Sequence, residues 1–141
     1  MRVLLLGAGI QSSYLYIKRP DIYDFAVFAD TGWEHEEVYS QLSRLKELGT
    51  GKKIYTVSNG NIKEESENAV NKYPYRSASL PYFTKSQSGK RGMVRRQCTS
   101  EYKIKPVKRF VRDKYESEKG KIFAGCITFV FGISIDEAER S

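Results

Sequence analysis

Residues 3–15 read VLLLGAGIQSSYL, an apolar run that leads into a turn of small residues and two adjacent serines. The apolar run predicts a buried strand. The small residues allow a tight turn whose backbone N–H groups approach a ligand closely, and the helix that follows has its positive end at the same point. An anion such as a phosphate is the expected ligand. The residues expected to hold it are Gly7, Ala8, Gly9, Gln11, Ser12 and Ser13.

The alternation of strand and helix continues along the chain. Apolar runs of strand length occupy residues 24–30, 53–59 and 122–134, and segments with helical periodicity lie between the strands. This alternation predicts an α/β fold with a parallel sheet in the order 3-2-1-4 and helices on both faces. The helices are expected at 11–18, at 34–48, from Asn61 toward Lys72, and onward from Pro106.

Two segments interrupt this pattern. Residues 74–98 contain prolines and glycines without a clean period, so a long loop is expected there. The last six residues, DEAERS, predict the first turn of a helix. We expect residues 1–141 to form a single domain. Its carboxyl end is expected to be frayed, to make an intermolecular contact, or to be short relative to its family.

Composition limits the classes of protein that fit. Of the 141 residues, 40% are hydrophobic and 29% are charged, which is typical of a globular domain. The apolar runs are shorter than a membrane span and no basic leader precedes the first strand, so no membrane association is expected and the cytoplasm is the expected location. Cys98 and Cys126 are too few for a disulfide scaffold and are expected to be reduced thiols.

The positive charge is concentrated in one region. Eleven Lys or Arg side chains and two acids lie between Lys85 and Lys114, a local balance of about +9 in a chain whose formal charge is +7. Three interpretations are open: a solvated basic face, an anion site for nucleotide phosphates, and a nucleic-acid surface.

Two designs of phosphate-binding loop fit the turn at residues 7–13. In the dinucleotide fingerprint GxGxxG, Gly7 and Gly9 match the first two glycines, Ser12 replaces the third, and Asp30 lies where an acid takes the ribose hydroxyls. In the pyrophosphate loop SGGxxS of the N-type ATP pyrophosphatases, Gly9 and Ser12 match and the first two residues differ. The turn alone leaves both designs open.

Four further segments follow in a recognisable order: FADTGWEHEEVY (28–39), SASLPYF (77–83), RRQCTSEYKIKP (95–106) and FGISIDEAER (131–140). Together with the first turn they resemble the phosphoadenosine-phosphosulfate (PAPS) reductase-like family of the adenine nucleotide alpha hydrolases. The resemblance spans nearly the whole chain. It implies a Rossmann-like sheet that binds ATP or a related adenine nucleotide, with chemistry at the α-phosphate or its sulfate.

The chain departs from that family at two places. PAPS reductases carry a reactive cysteine in a carboxyl-terminal ECGxH tail, which this sequence lacks, so sulfonucleotide reduction is not expected. Iron–sulfur relatives carry two adjacent cysteines before a Lys and a Pro, whereas Gln97 precedes Cys98 here. Two separated cysteines cannot supply four ligands, so no iron–sulfur cluster is expected.

The resemblance and the charge pattern imply a second anion anchor. Arg95, Arg96 and Lys103 are its expected residues, because arginine offers a planar fork for phosphate oxygens and lysine a compact charge. Arg96 and Lys103 are the expected catalytic residues. Open α/β sheets bind ligands at the carboxyl ends of their strands, so further ligand groups are expected after the second strand. These are Asp30, Thr31 and Gly32.

The expected function is therefore that of an adenine-nucleotide-binding protein that acts at the nucleotide α-phosphate. It is expected to be an enzyme of the ATP pyrophosphatase, adenylyltransferase or PAPS reductase-like type, or the remnant of such an enzyme. ATP or a related adenine nucleotide is its expected ligand, together with Mg²⁺, and no residues are assigned as a dedicated metal site. Asp136 and Glu137 are expected either to contact Mg²⁺ or to cap the last helix. Trp33 is expected to pack rather than to stack on a base, and His35 to be a solvated helix-start residue. The alternatives are a nucleic-acid-associated protein that uses residues 85–114 and a dinucleotide-binding domain.

Overall fold

The computed structural model describes residues 1–71, 83–86, 88–93 and 97–133. The strands in these ranges are β1 (Arg2–Leu5), β2 (Phe25–Asp30), β3 (Ile54–Ser58), β4 (Phe83–Lys85), β5 (Arg91–Met93) and β6 (Thr128–Phe131). The α-helices are α1 (Ile10–Lys18), α2 (Glu36–Leu48), α3 (Ile62–Asn71) and α4 (Lys105–Lys119). A π-helical segment, Thr99–Ile104, leads directly into α4.

Four of the strands form a parallel sheet in the order β3-β2-β1-β6. β1 lies in the middle, so that Val3 pairs with Phe25 on one side and with Phe129 on the other. This confirms the predicted Rossmann-like order, with β6 as its fourth strand. β6 is shorter than the predicted run 122–134, because the chain turns at Gly125 (φ +82°) before strand pairing begins.

β4 and β5 form a separate antiparallel pair inside a region that the sequence predicts as loop. Phe83 pairs with Met93, and Lys85 with Arg91. Gly89 closes the turn between them by donating its N–H to the Ser86 carbonyl (2.9 Å). The prediction of a loop throughout was wrong here, because three-residue strands are too short to produce a recognisable period.

Helices cover both faces of the parallel sheet, as predicted. Successive residues of a strand point to opposite faces, so the continuous apolar runs of β1 and β2 supply two cores. Each fully buried Leu or Val contributes roughly 1.5–3 kcal/mol. The core under α1 and α2 includes Leu4, Leu6, Ala26, Phe28, Tyr16, Tyr23, Leu42 and Leu45. The core under α4 includes Val3, Phe25, Val27, Val107 and Val111.

The ends of the helices follow their sequence signals. The exposed His35 caps α2 by accepting a hydrogen bond from Glu37 N–H at Nδ1 (3.4 Å), which confirms its role at a helix start. Asn61 caps α3, since its Oδ1 accepts the N–H of Lys63 (2.9 Å). Within the described ranges, none of the helices is long and apolar enough to cross a membrane.

Candidate functional site

A cleft of about 670 Å³ opens at the carboxyl edge of the parallel sheet, beside the ends of β1 and β6. β1 is connected through α1 to β2 on one side, whereas β6, its other neighbour, comes from much later in the chain. The strand order therefore reverses at β1. Open α/β sheets bind their ligands in the crevice at such a switch point, so this cleft is the candidate functional site.

The first turn (residues 7–13) forms one wall of the cleft. Ala8 adopts the left-handed conformation (φ +55°), and it is buried in the core under α1 and α2 rather than bordering the cleft. The first helical hydrogen bond runs from Ser13 N–H to the Gly9 carbonyl (3.0 Å). The N–H groups of residues 10–12 precede this bond and therefore have no acceptor within the helix. Such amides at a helix start attract anions. The residues of this turn that border the cleft are Gly7, Gly9, Gln11 and Ser12.

The two serines of the first turn are both buried. The Ser12 hydroxyl donates to the Gly9 carbonyl (3.3 Å), so in this structure it supports the turn. The Ser13 hydroxyl has no hydrogen-bond partner among the described residues. Gly9, rather than either serine, is the N-cap residue of α1. Ser12 therefore lies at the cleft with its oxygen close to the helix start, and Ser13 lies behind it.

Gly132 packs against the start of α1 from the end of β6. A Cβ at this position would lie 2.6 Å from the backbone N of Ser12 and 2.7 Å from the carbonyl carbon of Gln11. Backbone atoms, unlike the end of a flexible side chain, cannot easily move away from so close a contact, so glycine is the residue that fits. Gly132 also borders the cleft, and it is a site residue that the sequence analysis missed. A glycine after a strand that ends at the switch point is the signal that points to it.

Two lysines border the cleft from the opposite side. Lys103 lies on the π-helical segment and Lys108 on α4, and both side chains are exposed. Ile104 and Val107 accompany them, because residues three and four apart share one face of a helix. Lys103 was predicted as an anion anchor. Lys108 was not, although its spacing of four residues from Ile104 places it on the same helix face.

Lys103, which borders the cleft, forms an ion pair with a carboxylate from a neighbouring loop. Its Nζ lies 2.7 Å from Oε1 of Glu34, on the loop between β2 and α2. The same oxygen accepts a hydrogen bond from the Thr31 hydroxyl (3.0 Å). No pattern in the sequence points to Glu34, since the ion pair joins residues from separate elements of the chain. An anion that enters the cleft would meet a lysine that already has an acidic partner.

Asp30, Thr31 and Gly32, which the sequence predicts as ligand groups, are not among the residues that border the cleft. Asp30 Oδ1 accepts hydrogen bonds from Gly32 N–H (2.8 Å) and from the hydroxyl of Tyr39 (2.8 Å). Burial and the neighbouring Asp30 raise the pKa of the Tyr39 phenol. These contacts make Asp30 and Thr31 supports of the loop that carries Glu34.

Trp33 lies in the same loop and is 56% exposed. The expectation that it packs was wrong, because the inward positions of this turn are taken by its neighbours. Thr31 is buried, and Glu34 is held by Lys103. Trp33 is therefore a solvent-facing aromatic close in sequence to the rim of the cleft.

The floor of the cleft is apolar. Leu5 and Val27 contribute from the central strands, and Phe129 and Phe131 from β6. Alternate residues of these strands face α4, which is why the apolar runs line this side of the sheet. An apolar floor below a rim of amides and lysines suits a ligand that has a flat apolar part and an anionic part.

Several predicted residues lie outside the described part of the chain. These are Arg95, Arg96, Asp136 and Glu137. Lys103 is therefore the one residue of the predicted second anion anchor that lies in the described part of the chain. Cys98 and Cys126 are both half-buried free thiols, as predicted.

Acidic side chains are absent from the described lining of the cleft. Within the described ranges, no cluster of three or more His, Cys, Asp or Glu side chains is arranged to hold a metal ion. Magnesium that arrives with a nucleotide usually keeps several waters and is held by phosphate oxygens together with one or two carboxylates.

The chain matches no protein-family model, no curated protein and no solved structure. The fold, the cleft and the side chains around it are therefore the basis on which a function is assigned.

Proposed function

We propose that the chain binds an adenine nucleotide, with ATP as its principal ligand, and acts at the nucleotide α-phosphate. The observation that carries the proposal is the cleft at the switch point, which is bordered by the start of α1, by Lys103 and Lys108, and by apolar side chains of the strands. Amides at a helix start and lysine side chains are two standard ways of binding phosphate in proteins. The resemblance of the sequence to the PAPS reductase-like family implies the same class of ligand.

The cleft suits the two parts of a nucleotide differently. The apolar floor formed by Leu5, Val27 and Phe129 accommodates a planar base, whose burial removes apolar surface from water. The phosphates then lie against the first turn, where backbone donors need no side-chain charge. The volume of about 670 Å³ is within the usual range of small-molecule sites.

The proposed chemistry is nucleotidyl transfer. An acceptor oxygen, nitrogen or sulfur atom forms a bond to the α-phosphorus, the bridge to the β-phosphate breaks, and pyrophosphate leaves with the bonding electrons. The acceptor loses its proton to water. Lys103 and the amides of the first turn stabilise the negative charge that grows on the phosphate oxygens. The resemblance adds Arg96 as a second cation for this step.

Thermal denaturation with different nucleotides tests the proposal. ATP with Mg²⁺ should stabilise the protein by about 1.4 kcal/mol at ten times its Kd, because it binds the native state alone. NAD should have little effect, since the dinucleotide fingerprint is incomplete at Ser12. Stabilisation by NAD, with none by ATP, PAPS or AMP, would favour a dinucleotide-binding domain. Release of AMP and pyrophosphate would identify cleavage between the α- and β-phosphates.

Replacing Ser12 with alanine is expected to weaken ATP binding about fivefold, the effect of losing one hydrogen bond of about 1 kcal/mol at a charged ligand. The Ser12 hydroxyl supports the Gly9 carbonyl in the turn and lies at the cleft. Isothermal titration calorimetry measures the change. Ser43→Ala, an exposed serine of α2, is the matched control and should leave the Kd unchanged. Equal affinities for Ser12→Ala and the control would remove Ser12 from the binding site.

A second candidate function is binding of nucleic acid. Basic residues on α4 recur at intervals of three and four and form one exposed stripe along the helix. Lys105 and Arg112 in this stripe contact Glu101 and Asp113, which reduces its net charge. The stripe consists of Lys105, Lys108, Arg109 and Arg112.

Salt dependence separates the two functions. If the α4 stripe neutralises about four phosphates, the affinity for a DNA or RNA duplex should fall with a slope of roughly −3 to −4 in log K against log salt. Arg109→Gln with Arg112→Gln should then reduce the slope by about 2. A shallow slope that these substitutions leave unchanged would argue against a nucleic-acid surface on α4.

A further inference from the structure

The ion pair between Lys103 and Glu34 is unlike the other ion pairs in the described part of the chain. The carboxylate of Glu34 is 18% exposed, whereas the acids of the other pairs are between 31% and 91% exposed. Its lysine also borders the cleft. Exposed ion pairs contribute little to stability, but a partly buried pair beside a ligand cleft affects what the cleft can bind.

Glu34 is the fixed partner of this pair. Its carboxylate accepts the Thr31 hydroxyl at 3.0 Å, and its backbone N–H donates to the Tyr39 hydroxyl at 3.4 Å. Tyr39 is itself anchored to Asp30 at 2.8 Å. Lys103, by contrast, has a long side chain that is 48% exposed. If the pair separates, the ammonium group therefore moves and the carboxylate stays.

We propose that Glu34 is an affinity- and specificity-determining residue of the cleft, which holds Lys103 in the absence of ligand and competes with phosphate for it. The inference rests on the proposed function, since it assumes that an anion enters this cleft. Phosphate oxygens must replace a carboxylate that Lys103 already contacts at 2.7 Å. A ligand with several negative charges outcompetes one carboxylate, whereas a singly charged ligand does not. The ligand class is thus a polyphosphate.

A double-mutant cycle on ATP affinity tests this competition. Glu34→Gln removes the competing charge and retains the shape, so ATP should bind about fivefold more tightly than to the wild-type protein. Lys103→Met should weaken binding. In the Lys103→Met background, Glu34→Gln should have no effect, because there is no longer an ammonium group to compete for. Calorimetry gives the Kd of each of the four proteins.

Two further variants complete the experiment. Glu101→Gln is the matched control, because it breaks the Lys105–Glu101 ion pair (2.5 Å) in the same helical region. Lys105 does not border the cleft, so the Kd for ATP should stay within about twofold of the wild-type value. Glu34→Asp keeps the negative charge but withdraws it from Lys103 by one methylene group. A gain in affinity with Glu34→Asp as well as with Glu34→Gln supports competition for Lys103 rather than an effect of net charge, and it serves if Glu34→Gln does not fold.

The outcomes distinguish the inference from the proposed function. If the wild-type protein binds ATP and both Glu34 variants bind it with the wild-type Kd, Glu34 has no role in affinity and the proposed function stands. A gain that persists in the Lys103→Met background also overturns the inference. If Glu34→Gln binds ATP and the wild-type protein does not, the inference is supported. If neither the wild-type protein nor any Glu34 variant binds ATP, both the inference and the proposed function are wrong.

Discussion

Gly132→Ala is expected to destabilise the protein by about 2–3 kcal/mol, the cost of forcing an extra carbon into a packed site. The new Cβ would lie within 2.8 Å of the backbone of Gln11 and Ser12, at the start of α1. The end of β6 and the start of α1 would have to move apart, because the atoms in contact are backbone atoms and not the end of a flexible side chain. For a domain of this size the melting temperature should fall by roughly 5–10 °C.

The same substitution is expected to abolish the stabilisation by ATP, since it separates the two elements that meet at the switch point. Thermal denaturation with and without ATP measures both effects. Gly9→Ala is the matched control for stability, because a Cβ at Gly9 has open space around it and its φ of −79° suits any residue. A Gly132→Ala protein that melts and binds ATP like the wild type would disprove the close packing of β6 on α1.

The parallel sheet was predictable because its signals are local. The apolar runs of β1, β2 and β3 are short and are followed by turns or helix starts, and right-handed connections then leave few strand orders. Asn61 and His35 are polar residues directly before helices, so the starts of α3 and α2 were also close to those predicted. β4 and β5 were missed because pairs of three-residue strands depend on the turn between them rather than on periodicity.

The candidate site was predictable in its first turn and less so elsewhere. Small residues after a buried strand identify one wall of the cleft. Lys103 was predicted because it lies in the basic region of the sequence. Glu34 has no such local signal, since its role comes from a contact between elements that are distant in sequence. Lys108 and Gly132 have weaker signals, a helical spacing from Ile104 and a glycine directly after a strand. The π-helical segment that carries Lys103 was also missed, because a π-turn is favoured by tertiary contacts and not by composition.

Gly32→Ala is the second substitution for which a large effect is expected. Gly32 has φ +70°, a conformation that costs an alanine about 1 kcal/mol. A Cβ there would also lie 2.8 Å from Cγ of Asn61 and 3.1 Å from its Cα. Asn61 caps α3 by accepting Lys63 N–H (2.9 Å), so displacing its side chain removes a cap worth about 1 kcal/mol. The total expected loss is about 2–3 kcal/mol.

Chemical denaturation of Gly32→Ala and Gly51→Ala separates the two causes. Gly51 has a similar φ of +77°, but nothing lies within 4 Å of a Cβ built on it, so its substitution should cost about 1 kcal/mol from backbone strain alone. The excess loss in Gly32→Ala measures the contact with Asn61, and hydrogen exchange should show weaker protection at the start of α3. Equal losses for the two variants would mean that Asn61 can move aside freely. In that case the contact between the β2 loop and α3 would not fix the position of the loop that carries Glu34.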